Sequence, residues 1–347
     1  MCVKVKRFIN WWKHSNQVIT REEEGYRDGL VIKSFVPPYC FLPSHSVTVR
    51  KHMKFGTMAI LGCPNVGKST LVNTLVKQKV AIVSDKPQTT RTRILGVAHC
   101  PQGQLALLDT PGLHQPWHRL NKRMVQTAWE ALEGADILAI MVDGRQLPGD
   151  GDRLVLQQVA ALQRTKPELP VFLLVNKIDL INKRKLLPII DAYQTLCRWT
   201  EIVPISAMTG LNVDRLTALL FEHVPDEGEA YDDEFVTNQS MRQLAAEIIR
   251  EKVIEQTKAE LPYAVAVRLD QFIEEGRLAK IAATIFVEKS GQKGIVIGKG
   301  GARLKEIGTA ARLDMETAFE MKVFLELLVK VKDGWRDDEQ MLIELGY

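Results

Sequence analysis

Gly62-Cys63-Pro64-Asn65-Val66-Gly67-Lys68-Ser69 constrains the fold of this chain more than any other stretch. Its G-x-x-x-x-G-K-S spacing stands between an apolar run, Met58-Ala59-Ile60-Leu61, read as a buried strand, and Ser69-Thr70-Leu71-Val72-Asn73-Thr74-Leu75, read as a helix. In such a strand-loop-helix unit the glycines let backbone N–H groups turn inward around an anionic phosphate, and the helix N-terminus adds partial positive charge. Lys68 then reaches the outer phosphates of a nucleotide, and Ser69 offers its hydroxyl to Mg²⁺. Gly62, Pro64, Asn65, Val66, Gly67, Lys68, Ser69 and Thr70 are the candidate nucleotide ligands of this segment. The plain alternative is a glycine-rich turn with a chance lysine, and the agreement of strand, loop and helix argues against it.

From Thr57 to about Pro225 apolar runs alternate with amphipathic stretches, the pattern of a mostly parallel sheet covered by helices. The runs are Met58–Leu61, Leu105–Leu108, Ile137–Val142, Val171–Val175 and Ile202–Ile205, and polar residues collect after them. Ligands of open α/β sheets bind beyond the carboxyl ends of the strands, so these polar residues are the ones to examine. Asp109-Thr110-Pro111-Gly112 follows the second run: Asp109 is expected to hold Mg²⁺ through water and the Gly112 N–H to bond a γ-phosphate. Asn176-Lys177-Ile178-Asp179 follows the fourth. There the Asp179 carboxylate accepts from N1–H and N2–H₂ of guanine, a donor pair that adenine lacks. Ser206-Ala207, after the fifth, is expected to offer backbone N–H to guanine O6. Four motifs in this order specify GTP and its product GDP as the ligands.

Between the loop and the Asp109 turn lies Pro87-Gln88-Thr89-Thr90-Arg91-Thr92-Arg93, polar and without apolar periodicity, hence expected to be mobile. Thr89 or Thr90 should complete the Mg²⁺ shell beside Ser69 and Asp109, and the residues alone leave that choice open. Arg91 and Arg93 are read as solvated rather than as charge-stabilising fingers. His114 is read as a solvent-facing histidine rather than a base. Lys68, Asn65, Thr89, Thr90 and Gly112 are the candidate catalytic residues.

The formal net charge of +4 is unevenly spread. Residues 1–57 hold ten Lys/Arg against four Asp/Glu, a surplus of six, so the remainder carries −2. A nucleic-acid partner must therefore meet a local patch. Residues 1–52 show no sustained periodicity. A basic arm touching RNA or anionic lipid is one reading of them, and a weakly ordered extension upstream of a natural start at Met53 is the preferred one. Five cysteines without C-x-x-C spacing imply a reduced compartment with neither disulfides nor zinc. No apolar run approaches the ~20 residues of a membrane span.

The expected domains are 53–225, a nucleotide domain; 226–239, an acidic linker; and 240–347, a second domain. In the last, an amphipathic helix over Ser240 to about Lys258 places Leu244, Ile248, Val253 and Ile254 in a core, and strand-like runs follow at Tyr263–Leu269 and Ile281–Val287. Next comes Gly294-Ile295-Val296-Ile297-Gly298-Lys299-Gly300-Gly301-Ala302-Arg303-Leu304-Lys305-Glu306-Ile307, read as two short helices flanking a G-K-G-G turn, and then a strand over Val323–Val331. Glycines at such a turn let the backbone approach phosphates while an apolar groove receives splayed bases. Lys293, Gly298, Lys299, Gly300, Gly301, Arg303 and Lys305 are the candidate RNA-binding residues.

The order GCPNVGKS, QTTR, DTPG, NKID, SA resembles the translation-factor-related GTPases, and the α-β-β-α-α-β order with its G-K-G-G turn resembles a type II KH domain. Leu113 stands where many GTPases carry a water-orienting glutamine, which is similar to the branch with a hydrophobic replacement. Together with Glu260-Leu261-Pro262-Tyr263, Glu288-Lys289-Ser290-Gly291-Gln292-Lys293 and Val331-Lys332-Asp333-Gly334-Trp335, these features resemble the bacterial Era GTPases from about Thr57 to Tyr347. Residues 1–52 lack a counterpart, and Met208 replaces a more usual polar residue. The resemblance implies an α/β P-loop GTPase domain with a mostly parallel sheet covered by helices, followed by an α+β type II KH domain. It also implies slow GTP hydrolysis with Mg²⁺, and K⁺ bound near Asn65. As partners it implies small-subunit (16S) ribosomal RNA and the small ribosomal subunit during ribosome assembly. The protein is then expected to be cytoplasmic and monomeric, with peripheral contact at the inner face of the cell membrane. The competing expectations are a regulatory or membrane-associated GTPase whose second domain binds protein, and a tRNA-modification GTPase.

Overall fold

The computed structural model describes residues 53–86, 89–113, 118–226, 230–257 and 261–347, apart from the side chains at 183, 262 and 263. The readings of residues 1–52 and of His114 lie outside the described residues.

The first domain is a six-stranded sheet in the order β2-β3-β1-β4-β5-β6. Its strands are β1 (Lys54–Leu61), β2 (Ile94–Cys100), β3 (Gly103–Asp109), β4 (Ile137–Asp143), β5 (Val171–Asn176) and β6 (Glu201–Pro204). All neighbours are parallel except β2 and β3. Strands buried on both faces read as continuous apolar runs, and the side chains sort by parity. Met58 and Ile60 face a core shared with α1 (Lys68–Val76) and α5 (Val213–His223). Ala59 and Leu61 face one shared with α2 (Arg119–Glu130), α3 (Asp150–Thr165) and α4 (Lys183–Gln194). β1 lies between β3 and β4, so crossovers depart to both sides of it and a crevice opens beyond its carboxyl end, where Gly62 begins.

β2 has no counterpart among the five expected runs. Its apolar stretch is interrupted by Gly96 and ends in His99, and it pairs antiparallel with β3 across a short turn. Gly96 lies against Val72, Val76 and Val80, where a Cβ would come within 2.9 Å of Val76.

The expected linker is fastened along the edge of β2. Val97 N–H donates to Val236 O (2.8 Å), Thr237 Oγ1 to Leu95 O (2.7 Å), and Leu95 N–H to Asn238 Oδ1 (3.2 Å). Gln104 exchanges two hydrogen bonds with the backbone of Tyr231, whose ring stacks on Phe235 at 4.7 Å. The segment thereby covers an otherwise open sheet edge.

The second domain begins at α6 (Met241–Gln256), capped by Ser240 with Gln243 closing the capping box. It continues through α7 (Leu261–Ala264), β7 (Ala266–Glu275), β8 (Leu278–Val287), α8 (Ser290–Ile297), α9 (Ala302–Phe319) and β9 (Lys322–Val331). The sheet order is β7-β8-β9, with β8 and β9 parallel and joined by the α8–α9 crossover. Ile248 and Val253 are fully buried in its core and Leu244 partly so. Ile254 is also fully buried. Tyr263, expected in a strand, belongs instead to α7. α9, expected to be short, runs 18 residues.

Past β9, a single turn at Trp335–Asp337 and α10 (Glu339–Glu344) return the chain to the first domain. Trp335, Met341 and Leu342 join Ala266 and Phe286 in a cluster with Leu120 and Met124 of α2. Trp335 is fully buried and its Nε1–H donates to Ala264 O (3.0 Å). Truncating a buried Trp costs about 3–5 kcal/mol. Trp335→Ala is therefore expected to lower the denaturant midpoint far more than Trp335→Phe, measured by fluorescence-independent circular dichroism; equal midpoints would contradict the packing described.

Candidate functional site

The crevice beyond β1 has a volume of about 500 Å³ and is lined by the phosphate-loop motif, the Asn176–Asp179 motif and Ser206. The loop is tied down from both sides. Asn176 Nδ2 donates to Val66 O (2.7 Å), and its Oδ1 accepts from Ala207 N–H (2.9 Å), so one carboxamide joins three of the motifs. Gly67 permits this: a Cβ there would sit 2.3 Å from Asn176 Nδ2. Ala207 N–H, expected to serve guanine O6, is thus engaged by Asn176, and Ser206 N–H donates to Leu211 O (3.0 Å). Lys177 Nζ donates to Asn65 O (2.6 Å) and to Asp143 Oδ2 (2.9 Å). Asn65 holds a left-handed backbone (φ 63°), and its Nδ2 donates to Asp85 O (2.7 Å). Asp179 is exposed at the crevice mouth, beside Met208.

Lys68 Nζ folds back over the loop onto Gly62 O and Cys63 O, both at 3.1 Å. Burial pushes its pKa down, while Asp109 opposes the shift. Pro64 and Thr70 line the crevice, and Thr110 Oγ1 donates to Ile60 O (2.6 Å), fixing the turn through Pro111 and Gly112. Leu113 N–H donates to Gly62 O (3.1 Å), and its side chain is packed in the core with Ala59 and Leu61, so it offers no polar group to the crevice.

Ser69 Oγ donates to Asp109 Oδ2 (2.6 Å) and lies 2.8 Å from Thr90 Oγ1, which is 3.3 Å from the same carboxylate oxygen. Thr89 is turned elsewhere, with Oγ1 donating to Lys86 O (2.7 Å). Asp109 is fully buried and its Oδ1 has no hydrogen-bond partner among the described residues. Burial pushes its carboxyl pKa up, against the pull of Lys68, Ser69 and Thr90. Two hydroxyls and a carboxylate with a spare buried oxygen match the hard-oxygen donors of Mg²⁺. Among the described residues no group of three His, Cys, Asp or Glu is placed to hold a metal.

Arg91 differs from its expectation as a solvated side chain; Arg93 is exposed. The Arg91 guanidinium is buried, donates to Val265 O (2.8 Å) and Tyr347 Oη (3.1 Å), and lies 5.4 Å from the ring centroids of both Trp335 and Tyr347. Polar residues buried by another domain carry no periodic signal, so the local pattern suggested a mobile loop. Arg250 on α6 was likewise invisible to sequence reasoning. It is fully buried, paired with Glu247, and donates from a terminal guanidinium nitrogen to Thr89 O. The one local signal is an arginine set among the buried apolar residues Ile248, Ile249, Val253 and Ile254 of this helix.

In the second domain, Gly298 ends α8 and Gly300 and Gly301 both have positive φ, forming the turn into α9. Arg303 donates back to Ile295 O (2.8 Å), closing that turn. Lys299, Gly300 and Lys305 are exposed, Lys293, Gly298, Gly301 and Arg303 half-buried, and Ile295 presents an exposed apolar side chain next to them.

A family model described as a 50S ribosome-binding GTPase matches residues 57–177, and one described as a KH domain matches residues 260–336. GTPase Era of Geobacter metallireducens is 47% identical over 294 residues, covering 84% of this chain and 97% of the relative. This chain belongs to the Era GTPase family. The Era protein of Syntrophus aciditrophicus is 45% identical, with 85% and 95% covered. Two solved Era structures superpose with 39% identity, covering 85% of this chain and 99% of theirs. One is an Aquifex aeolicus Era variant bound to GDP and AlF4− (TM-score 0.80), the other Era with MgGDPNP and nucleotides 1506–1542 of 16S ribosomal RNA (TM-score 0.79). As an Era-family protein the chain is a P-loop GTPase that converts GTP to GDP. No helix among the described residues is long and apolar enough to cross a membrane.

Asp143, at the end of β4, was absent from the expected site. Burial pushes its pKa up, but hydrogen bonds from Arg145 and Lys177 outweigh this and hold it at about 2. Below an unfolded value of about 4 the stabilisation starts to fade, and it is lost as the pH falls through the folded value; it is full near neutrality. Asp143→Asn is expected to lower stability at neutral pH by about 2 kcal/mol, a deficit that closes on acidification below about pH 4. A deficit independent of pH in thermal melts would contradict the ionised pairing with Lys177.

Proposed function

We propose that this Era-family chain couples GTP hydrolysis to binding of small-subunit ribosomal RNA during assembly of the small ribosomal subunit. The observation carrying this reading is the match, over 99% of that protein, to Era in complex with MgGDPNP and a 16S fragment. On this reading the KH domain holds single-stranded RNA at the Gly298–Gly301 turn. Lys293, Lys299, Arg303 and Lys305 meet phosphates, and the apolar surface around Ile295 receives bases.

In the nucleotide site, Asp179 accepts from the guanine N1–H and N2–H₂, and Asn176 and Lys177 hold the base-binding segment against the phosphate loop. Backbone N–H groups of the loop and Lys68 bind the phosphates, and Lys68 opposes charge that builds on the leaving oxygen. Its present hydrogen bonds to Gly62 O and Cys63 O would be exchanged for phosphate oxygens. Ser69, Asp109 and Thr90 would hold Mg²⁺, which when bound neutralises charge on the phosphate oxygens. The geometry favours Thr90 over Thr89 in that role. Asn65 would offer its carboxamide oxygen to K⁺. Water attacks the γ-phosphate in line, with the Gly112 N–H fixing the phosphate. Since the buried Leu113 cannot orient the water, turnover is slow.

Further parts of the same reading rest on family likeness alone: a cytoplasmic monomer with peripheral contact at the inner face of the cell membrane. The runner-up, a GTPase whose second domain binds protein, is separated by one variant. Gly300 has φ 59° with open space where a Cβ would stand, so Asp, which tolerates that backbone, adds a negative charge without a clash. Gly300→Asp is expected to weaken binding of a fragment covering nucleotides 1506–1542 of 16S RNA at least about tenfold while GTP hydrolysis persists. Unchanged RNA affinity in a filter-binding titration would sink the RNA reading.

A further inference from the structure

We propose that Arg250, carried by the KH domain, is a positioning residue for GTP hydrolysis in the other domain: it fixes the Thr89 carbonyl and, with the anchored Arg91 side chain, holds the Thr90 hydroxyl at Ser69 and Asp109. Three successive residues carry this arrangement. The backbone carbonyl of residue 89 and the side chain of residue 91 engage the second domain, through Arg250 on one side and through Val265 O and Tyr347 Oη on the other. The side chain of residue 90 engages the nucleotide site. Thr90 is thus bracketed by two attachments to the second domain.

The same helix grips the loop at its other end. Glu251, next to Arg250 on α6, accepts from Val83 N–H (2.8 Å) and from Lys79 Nζ (2.5 Å), and Lys79 also reaches Asp314 on α9 (2.9 Å). The segment from α1 to β2 is therefore held at residues 79, 83, 89 and 91 by groups of the KH domain. Between the first and last of these the chain passes the crevice.

Arg250 is a costly way to fill this space. Its side chain is fully buried, and one terminal nitrogen has no hydrogen-bond partner among the described residues. A buried donor left unmade is unfavourable, and an apolar residue of similar volume would pack against Ile249 and Val253 without that penalty. What an apolar residue cannot supply is a donor to the Thr89 carbonyl. The unpaired nitrogen and the bond to Thr89 together assign the side chain to positioning rather than to stability.

The proposal rests on the reading of Thr90 as the hydroxyl that acts in the nucleotide site, and the experiment separates the two. Steady-state GTP hydrolysis by the full chain should show Arg250→Ala lowering kcat about tenfold with KM for GTP changed less than about twofold, because the loop is misplaced while the base and phosphate contacts remain. In nucleotide-free protein, amide hydrogen exchange across residues 86–92 should accelerate in the same variant. Arg250→Lys, which keeps a charged donating nitrogen, should recover most of kcat. If Arg250→Ala loses its cooperative melt, Arg250→Met keeps the buried stem without the donor and carries the same test. Wild-type kcat and exchange in the Ala or Met variant would overturn the proposal, as would a matching loss of GDP affinity, which would mark a general structural defect. Thr90→Ala with undiminished kcat would overturn the reading of Thr90, and the proposal with it.

Discussion

The buried guanidinium of Arg91 sets the placement of most other parts of this molecule. A charge removed from water must be surrounded by acceptors and polarisable groups, and the second domain provides several of them here. Val265 O, Tyr347 Oη and the faces of Trp335 and Tyr347 supply them. That requirement places the start of β7, the Trp335 turn and the last residue of the chain at one point beside the nucleotide site. The chain end is fastened from the opposite side by α2: Arg123 donates to Tyr347 O (2.6 Å) and pairs with Glu339, and Asp337 accepts from Arg119 N–H (2.9 Å) and contacts His118. The segment that reaches Arg91 and the one that opens α2 therefore meet the same short tail of the KH domain.

The nucleotide site itself is a set of cross-ties. Asn176 joins the phosphate loop to Ala207, Lys177 joins it to Asp143, and Ser69, Thr90 and Asp109 share one oxygen. Each tie is short, and each ends on backbone or on a carboxylate fixed at a strand terminus, so a displacement of residues 89–91 is transmitted to Ser69 and Asp109 directly. Burial and Asp152 push the Cys63 thiol up to about 12, so this loop residue stays neutral and acts by packing. A phosphate entering the crevice would meet a loop tied by Asn176 and Lys177 and a neighbouring segment held by another domain.

Much of this was legible from residues alone, for reasons that differ by element. Glycine-rich turns at strand ends are local, so the segments around Gly67, Asp109, Asn176 and Gly298 could be placed by spacing and apolar runs. Central strands buried on both faces announce themselves as Ile137–Val142 does. β2 did not, because Gly96 and His99 break its pattern and its partner on one edge is the linker. That acidic linker looked structureless since its contacts, backbone and side chain alike, are made with the distant strands β2 and β3 and leave no periodic pattern. Arg91, Arg250, Asp143 and the Trp335–Tyr347 tail were missed for a common reason. Their roles are set largely by contacts between residues distant in the chain, 174 positions for Arg91 and Val265 and 34 for Asp143 and Lys177, and periodicity registers only neighbours. Sequence left Thr89 and Thr90 equivalent, and in the structure it is the Thr90 hydroxyl that faces Ser69 while that of Thr89 turns to Lys86 O.

The central claim is that nucleotide and RNA are linked through residues 89–91 of one chain. The direct measurement is RNA affinity in the presence of GDP and of a non-hydrolysable GTP analogue, for the wild-type protein and for Arg91→Ala. Linkage of this kind typically spans about five- to 150-fold. The account predicts a nucleotide-dependent difference of at least about fivefold in the wild type, falling to less than about twofold when the Arg91 anchor is removed. A full difference retained in Arg91→Ala would contradict it.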